Sequence, residues 1–265
     1  MGNLFFPQLS SGAVAQYPIK KGLFARTIKN VLADGSMIAF ADPAGARLVW
    51  QMLYIDLSVV DIQALQNHFS ACLGPYHAFT FIDPTDNMLA SSEDLTALTW
   101  QIPSLISLSG GQPDPNGGMA AFTVINAGQA NQTITQTLNV PANYRYCFSL
   151  YAAANQPSEL TLLRKGLSDE QTTVAPIGPS WTRVSSSGQL NDPGTSFTVG
   201  VDVAAGQQVQ LYGFQLEAQV APSRYRATAQ TGGVYPNAHW GVDELMISAE
   251  APNLFSTYFT IETAP

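Results

Sequence analysis

The sequence predicts a mainly β protein with two parts, a sheet domain that carries one helix and an inserted β-sandwich. Three observations lead to this prediction. Short runs rich in β-forming residues alternate with Gly, Pro, Asn and Ser clusters over most of the 265 residues. A convincing helical apolar period occurs once, in residues 59–73. The pattern of β-like runs and turn residues changes near residue 96 and again near residue 230, as expected at domain boundaries.

Strands of the first domain are predicted on both sides of this helix. Residues 47–57 and 76–83 are rich in β-forming residues and partly alternate between apolar and polar. Upstream, residues 17–29 and 36–40 are also predicted as strands, separated by a turn. The order strand, helix, strand favours a small sheet with one helix packed on it.

The helix has recognisable ends. Ser58 is a good N-cap, and Asp61 follows three residues later as a capping-box partner that also suits the helix dipole. Gly74 and Pro75 end the helix in the usual order. One apolar stripe is expected to face the sheet, formed by Ile62, Leu65, Phe69 and Leu73.

Residues 97–230 predict a β-sandwich or jelly roll. They contain short β-like runs divided by turn clusters and show no helical period. The predicted strands are 120–125, 133–138, 144–152, 159–164, 181–186, 196–203 and 208–218.

Two more strands are predicted near the end of the chain, over residues 243–249 and 255–263. Two strands do not form a stable domain alone, so they are expected to pair with the first domain. Residues 1–96 and 231–265 would then form one discontinuous domain, with residues 97–230 inserted into it.

The charge argues against a nucleic-acid ligand. Charged residues make up 11% of the chain, the net charge is −8 and no basic run occurs. Binding phosphates requires clustered cations, so specific nucleic-acid binding is not expected. A surface rich in amides and hydroxyls suits faces that become buried in an assembly, although an ordinary uncharged β-sandwich surface explains it equally well.

The remaining sequence signals describe a protein made in the cytoplasm. Cys72 and Cys147 lie far apart, which does not indicate a disulfide framework, and with three histidines they lack zinc-ligand spacing. The first twelve residues do not have the pattern of a signal peptide. No apolar run reaches membrane-spanning length, so membrane insertion is not expected.

No catalytic constellation is evident, and the sequence predicts a protein that is not an enzyme. His68, His77 and His239 have no GxSxG partner, and no phosphate-cradling glycine motif occurs. Asp83 and Asp114 lie in turns, where carboxylates usually accept local hydrogen bonds. No cofactor is therefore expected, and structural calcium bound by such aspartates is the one metal kept open.

Aromatic side chains of the sandwich raise the possibility of sugar contact. An exposed aromatic ring has an apolar face on which a sugar ring can stack, while core and rim packing is the common alternative. Tyr144 and Tyr146 share one face of a predicted strand, and Trp181 begins another. These three residues are the predicted glycan contacts.

Several motifs resemble tailed-bacteriophage proteins of the distal-tail or baseplate type. In the first domain they are FPQLSSGAVAQYPI, the DGS of residues 34–36, Trp50 and FTFIDPTDN. In the second they are DPNG at 114–117, WTR at 181–183 and YGFQLEAQVAPSRYRAT at 212–228, which resemble carbohydrate-binding-module-like jelly rolls inserted in phage tail proteins. GGVYPNAHW resembles the return into the tail domain.

This resemblance implies a structural virion protein of the phage tail tip, with a first domain of tail-tube-like β-sandwich or split-barrel fold. Such proteins form homo-oligomeric rings, commonly hexameric, that join the tail tube to the baseplate hub or receptor-binding apparatus. The alternative is a tail module that binds a cell-surface glycan or receptor through the inserted jelly roll during host adsorption.

Overall fold

A computed structural model describes residues 4–264 and confirms that the protein is mainly β. Over that range it has one helix and fifteen strands. The chain divides into two compact units. Unit 1 comprises the chain up to Phe81 together with the chain from Tyr235 onward, and unit 2 is the continuous segment Ile82–Val234.

Unit 1 contains a six-stranded sheet and the helix, and β15 pairs antiparallel with β2, β13 and β14. The sheet order is β1-β2-β15-β13-β3, and β14 pairs with β15 outside this path. Its elements are β1 Lys20–Val31, β2 Met37–Leu57, α1 Val59–Ala71, β3 Phe79–Ile82, β13 Val234–Trp240, β14 Ile247–Ala251 and β15 Leu254–Thr263.

The predicted strands 36–40 and 47–57 are one continuous strand. β2 runs through Pro43, and it pairs with β1 from Lys20 opposite Gln51 to Val31 opposite Met37. The register shifts between Phe24 and Arg26. Irregular pairing of this kind is where a strand tolerates proline, so a residue that suggested a loop lies within a long hairpin.

Helix α1 begins as predicted, and its predicted stripe is confirmed at Ile62 and Leu65 but not at its C-terminal end. Ser58 is the N-cap and forms a complete capping box with Asp61. The helix buries Ile62, Leu65 and His68, whereas Leu73 lies beyond its end with 64% of its surface exposed. The expected stripe was therefore wrong at its C-terminal end, because the helix stops at Ala71 and the chain turns there.

Aromatic rings fill the core of unit 1. Trp240 packs against Phe259 with ring centroids 4.6 Å apart, and Phe69 of α1 contacts the same indole at 5.2 Å. Phe81 and Trp50 pack at 5.0 Å. Burying such large rings contributes much of the stability of a small sheet domain, since each removes a large apolar area from water.

Unit 2 is a β-sandwich of a five-stranded and a four-stranded antiparallel sheet, ordered β10-β7-β12-β5-β4 and β6-β11-β8-β9. Tyr146 and Phe197 join the two sheets, with ring centroids 4.4 Å apart. The strands are β4 Ile106–Gln112, β5 Ala121–Asn126, β6 Gln132–Asn139, β7 Arg145–Ala153, β8 Ser158–Lys165, β9 Glu170–Ile177, β10 Thr182–Gln189, β11 Ser196–Val203 and β12 Gln208–Glu217.

The sequence missed β4, β9 and β13. Strand β9 lies at the edge of its sheet and contains Pro176 within a polar stretch, which weakens the local strand signal. Strand β13 likewise contains Pro236. The strand predicted over residues 243–249 begins later, since β14 starts at Ile247.

The first unit boundary follows Phe81 rather than residue 96, and the second follows Val234 rather than residue 230. Residues after β3 join unit 2 through Asn87, whose side-chain amide donates to the carbonyl of Phe214 at 2.8 Å. The amide oxygen of Asn87 accepts from the N–H of Leu216 at 3.0 Å. These hydrogen bonds tie the segment to β12, which no local pattern indicates.

No helix within residues 4–264 is long and apolar enough to cross a membrane.

Candidate functional site

The outer face of the five-stranded sheet, opposite the sandwich core, carries a row of large side chains. Arg183 of β10 lies across from Tyr151 of β7, which in turn lies across from Tyr212 of β12. The guanidinium carbon of Arg183 lies 5.5 Å from the centroid of the Tyr151 ring, within cation–π range. The rings of Tyr151 and Tyr212 are 6.0 Å apart.

A third tyrosine completes the cluster. Tyr225 meets Tyr212 edge to face at 5.4 Å and Tyr151 at 6.4 Å. Its hydroxyl lies 2.9 Å from the hydroxyl of Ser92. Tyr151 and Tyr225 are half-buried, whereas Tyr212 is 5% exposed. The tyrosine cluster, defined as Tyr151, Tyr212 and Tyr225, therefore presents two accessible rings above one buried ring.

A bulge in β12 makes room for this cluster. The pairing of β12 with β7 shifts register between Tyr212 and Gln215, and Gly213 has a φ of 65°. A Cβ at Gly213 would lie 3.2 Å from the ring of Tyr225. Glycine is needed here both for the left-handed backbone and for the close approach of the ring.

Polar groups surround the buried ring. The hydroxyl of Tyr212 donates to a carboxylate oxygen of Glu93 at 2.7 Å and accepts from the side-chain amide of Asn116 at 3.1 Å. Burial, followed by the hydrogen bond to Glu93, raises the pKa of Tyr212 well above its ordinary value. The phenol therefore stays protonated and orients both the carboxylate and the exposed Asn116.

The DPNG loop positions Asn116. Asp114 accepts hydrogen bonds from the backbone N–H groups of Asn116, Gly118 and Ala120, at 2.8, 3.1 and 3.1 Å. Burial alone would raise the pKa of Asp114, but these three donors outweigh it and lower the pKa. Asp114 is thus a loop organiser, in agreement with the local turn chemistry considered from the sequence.

Residues 223–226 form a strap over the same face. Glu217 accepts from the N–H of Ser223 at 3.0 Å, and Gln215 accepts from the N–H of Arg226 at 2.7 Å. Arg183 donates to the carbonyl of Ser223 and, at 3.0 Å, to the hydroxyl of Ser149. The strap positions Tyr225 and forms one side of the tyrosine cluster.

The structure does not bring the three predicted glycan contacts together. Tyr146 is fully buried in the sandwich core and donates to the carbonyl of Pro141 at 2.9 Å, so its assignment to a glycan platform was wrong. Tyr144 precedes β7 and Trp181 precedes β10, at opposite ends of the ladder between these strands. An eight-residue ladder spans about 24 Å, which separates Tyr144 from Trp181.

Trp181 lies near the tyrosine cluster. It is half-buried and stands two residues before Arg183, so strand alternation assigns it to the same face of the sheet. The sequence missed the role of Tyr151, Tyr212 and Tyr225 because they come from two strands and a strap. Only cross-strand register and the bulge at Gly213 bring them together, and neither leaves a local pattern.

The histidines occupy three different settings in unit 1. His68 of α1 is 8% exposed, and its Nδ1 lies 3.2 Å from the indole N–H of Trp240, which donates to it. Burial lowers the pKa of His68 to about 4. Nδ1 of His239 lies 2.9 Å from the carbonyl of Pro75, and His77 is half-buried. His68 is therefore a neutral core residue.

Acidification is expected to destabilise unit 1 through His68. Below pH 6.5 the unfolded chain binds a proton that the folded unit does not accept until about pH 4. Stability should therefore fall by about 3 kcal/mol as the pH falls through this window. Urea unfolding followed by hydrogen exchange in α1 measures the effect. His68→Gln should remove most of the pH dependence of the unfolding free energy between pH 6.5 and 4, and His77→Gln should retain it. An unchanged pH dependence in His68→Gln would contradict the role given to His68.

Within residues 4–264 no group of three or more His, Cys, Asp or Glu side chains is arranged to hold a metal. Asp83 accepts from the N–H and hydroxyl of Thr85 at 2.8 and 2.7 Å. Cys72 and Cys147 are free thiols, both buried. Burial raises the pKa of Cys147 to about 12, which keeps this thiol protonated.

No protein-family model and no curated protein matches the sequence. The xylan-binding CBM22-1 domain of Paenibacillus barcinonensis Xyn10C is 17% identical, with a TM-score of 0.42 over 52% of this chain and 97% of that one. A family 22 module of Clostridium thermocellum Xyn10B is 16% identical, with a TM-score of 0.42 over 54% of this chain and 99% of that one.

The enzymatically active domain of the bacteriophage CBA120 tailspike protein 4 is 12% identical. Its TM-score is 0.40, over 52% of this chain and 22% of the tailspike chain. The protein thus spans about a fifth of the length of that tailspike domain.

Proposed function

We propose that the protein binds a glycan on the outer face of the five-stranded sheet of unit 2, as a tail module acting in host adsorption. The observation that supports this function is the tyrosine cluster. Two half-buried rings, Tyr151 and Tyr225, lie within 6.4 Å of each other in an edge-to-face arrangement. Sugar rings offer apolar C–H faces that pack on such rings, and hydroxyl groups that bind polar side chains at the rim.

The polar groups around the rings match this chemistry. Asn116 supplies an exposed amide, and Glu93 supplies a carboxylate, so donors and acceptors both border the rings. Arg183 is held by the strap and by Ser149, and therefore needs little ordering when a ligand arrives. Groups that are ordered in advance lose less entropy on binding, which favours measurable affinity for a small contact area.

Glycan binding by the full-length chain can be measured on an array of bacterial surface polysaccharides, followed by titration of any retained glycan. Tyr225→Ala and Tyr151→Ala should each weaken binding about tenfold, corresponding to about 1.4 kcal/mol per ring. Tyr225→Phe should retain most of the affinity, because it keeps the ring and removes only the hydroxyl, which contacts Ser92.

Tyr258→Ala is the matched control, since this tyrosine is 52% exposed on β15 of unit 1. It should leave glycan binding unchanged. Retention of no glycan by the wild-type chain, or equal losses in Tyr258→Ala and Tyr225→Ala, would contradict the proposal.

A structural role in a phage tail tip is the second candidate function. One observation favours it: the long β1–β2 hairpin of unit 1 leaves every residue of β1 exposed. A ring subunit that joins the tail tube to the receptor-binding apparatus would use such a surface to contact its neighbours in the virion. The two roles are compatible, because they concern different units. Mass spectrometry of purified virions tests the structural role.

A further inference from the structure

The β1–β2 hairpin carries large apolar side chains that are exposed to solvent. We call residues 20–47 the hairpin arm. On one face of the arm Ile28 lies opposite Phe40, next to Ile38, and these side chains are 47, 53 and 41% exposed. Leu23 and Val31 are 69 and 72% exposed. A run of apolar groups of this size at such exposure marks an interaction surface.

The arm also ends in an open sheet edge. β1 is the terminal strand of its sheet and pairs, within residues 4–264, with β2 alone. A long edge strand presents a row of N–H and C=O groups that readily pair with another strand. Strand β14 is shorter, but it too has an open side, because it pairs with β15 alone in the described part of the chain. It is flanked by Met246, which is 69% exposed.

The two edges carry opposite charges. Strand β1 carries Lys20, Lys21, Arg26 and Lys29 and no acidic side chain, although Arg26 is already paired with Asp42 of β2. Residues 235–265 contain no Lys or Arg and four acidic groups, three of which, Asp243, Glu244 and Glu250, are exposed around β14. Complementary charge favours contact between these edges and steers their encounter.

These edges cannot meet within one chain. β1 pairs with β2 on one side of the β2–β15 pair, and β14 pairs with β15 on the other. Two copies of the chain can bring them together. The arm of one copy would then contact the β14 edge of the next, and the pair would still have one free edge of each kind, β14 on the first copy and β1 on the second. Contacts of this head-to-tail type generate rings or filaments.

We propose that the β1 edge of the hairpin arm pairs with the β14 edge of a second copy of this chain, with exposed apolar groups of both edges buried in the contact. The partner is another copy because one chain carries both complementary edges. The inference concerns unit 1 and does not depend on glycan binding by unit 2.

Mass photometry and sedimentation of the full-length chain at low ionic strength test the proposal. The wild-type chain should form species larger than dimers as its concentration rises, and added salt should weaken them. Lys20→Glu with Lys29→Glu should weaken association at least tenfold. Glu244→Lys with Glu250→Lys should weaken association to the same extent. All four changes together should restore most of the association, because the charges of the two edges are then exchanged.

Phe40→Ser tests the apolar part and should weaken association without changing the charge. Glu159→Lys, at an exposed position of β8 in unit 2, is the control and should leave association unchanged. All substituted side chains are exposed, so circular dichroism should show an intact fold. A wild-type chain that stays monomeric at about 100 μM, arm variants that assemble like wild type, or a fourfold variant without recovery would each overturn the proposal.

Discussion

Replacing Asn87 by alanine is expected to destabilise unit 2 by about 3–5 kcal/mol. The side chain is fully buried and makes four hydrogen bonds. It donates to the carbonyls of Phe214 and Arg226 and accepts from the N–H groups of Leu89 and Leu216. Alanine would leave these backbone groups buried without their partner, and each such group costs about 1–3 kcal/mol.

The loss of stability in Asn87→Ala can be measured by hydrogen exchange of the amides of β12 under increasing urea. This measurement reports on unit 2 specifically, which is needed because a chain of two units need not unfold in one step. Asn143→Ala is the matched control, since Asn143 is exposed in the same unit, and it should cost under about 0.5 kcal/mol. Similar costs for Asn87→Ala and Asn143→Ala would refute the anchoring role. Because Asn87 also holds the backbone next to Tyr225, the strap should exchange faster in Asn87→Ala.

Replacing Leu65 by alanine is expected to destabilise unit 1 by about 2–5 kcal/mol. Leu65 is fully buried in the middle of α1, between Ile62 and His68 on the face that the helix buries. The loss combines the transfer of the removed methyl groups with the cavity that remains, because a packed core relaxes only partly around it. Hydrogen exchange of α1 under urea gives the free energy.

Gln63 and Gln66 provide controls on the exposed side of the same helix. Alanine at either position should change stability by under about 0.5 kcal/mol. The loss of stability in Phe69→Ala should lie between that of the glutamine variants and that of Leu65→Ala, because Phe69 is half-buried against Trp240. Equal effects at Leu65 and Gln66 would disprove the orientation of the helix.

Local signals explain which parts of the fold could be predicted. The start of α1 depends on Ser58 and Asp61, which interact within one turn, so the sequence contains the whole signal. Strands β6 and β10 of unit 2 alternate buried residues with more exposed ones in the way their sequences indicate. Loop chemistry at Asp114 is likewise local, because its partners lie within six residues.

The candidate site depended on contacts that are distant in sequence. Tyr146 had the composition of a binding residue, but the pairing of the two sheets buried it against Phe197. Tyr225 gained its position from the strap, from the bulge at Gly213 and from Ser92, which is more than a hundred residues away. Local propensity and alternation carry no information on such pairings.

The sequence by itself determined the mainly β class, the existence and the beginning of the single helix, and the acidic, cation-poor character of the chain. These properties follow from composition and from interactions within a few residues. Only the tertiary structure decided that residues after Phe81 belong to unit 2, that three tyrosines form one cluster, and that a single hairpin arm carries every cation of unit 1. The physical reason is that strand register and side-chain burial arise from long-range pairing, which depends on the whole chain at once.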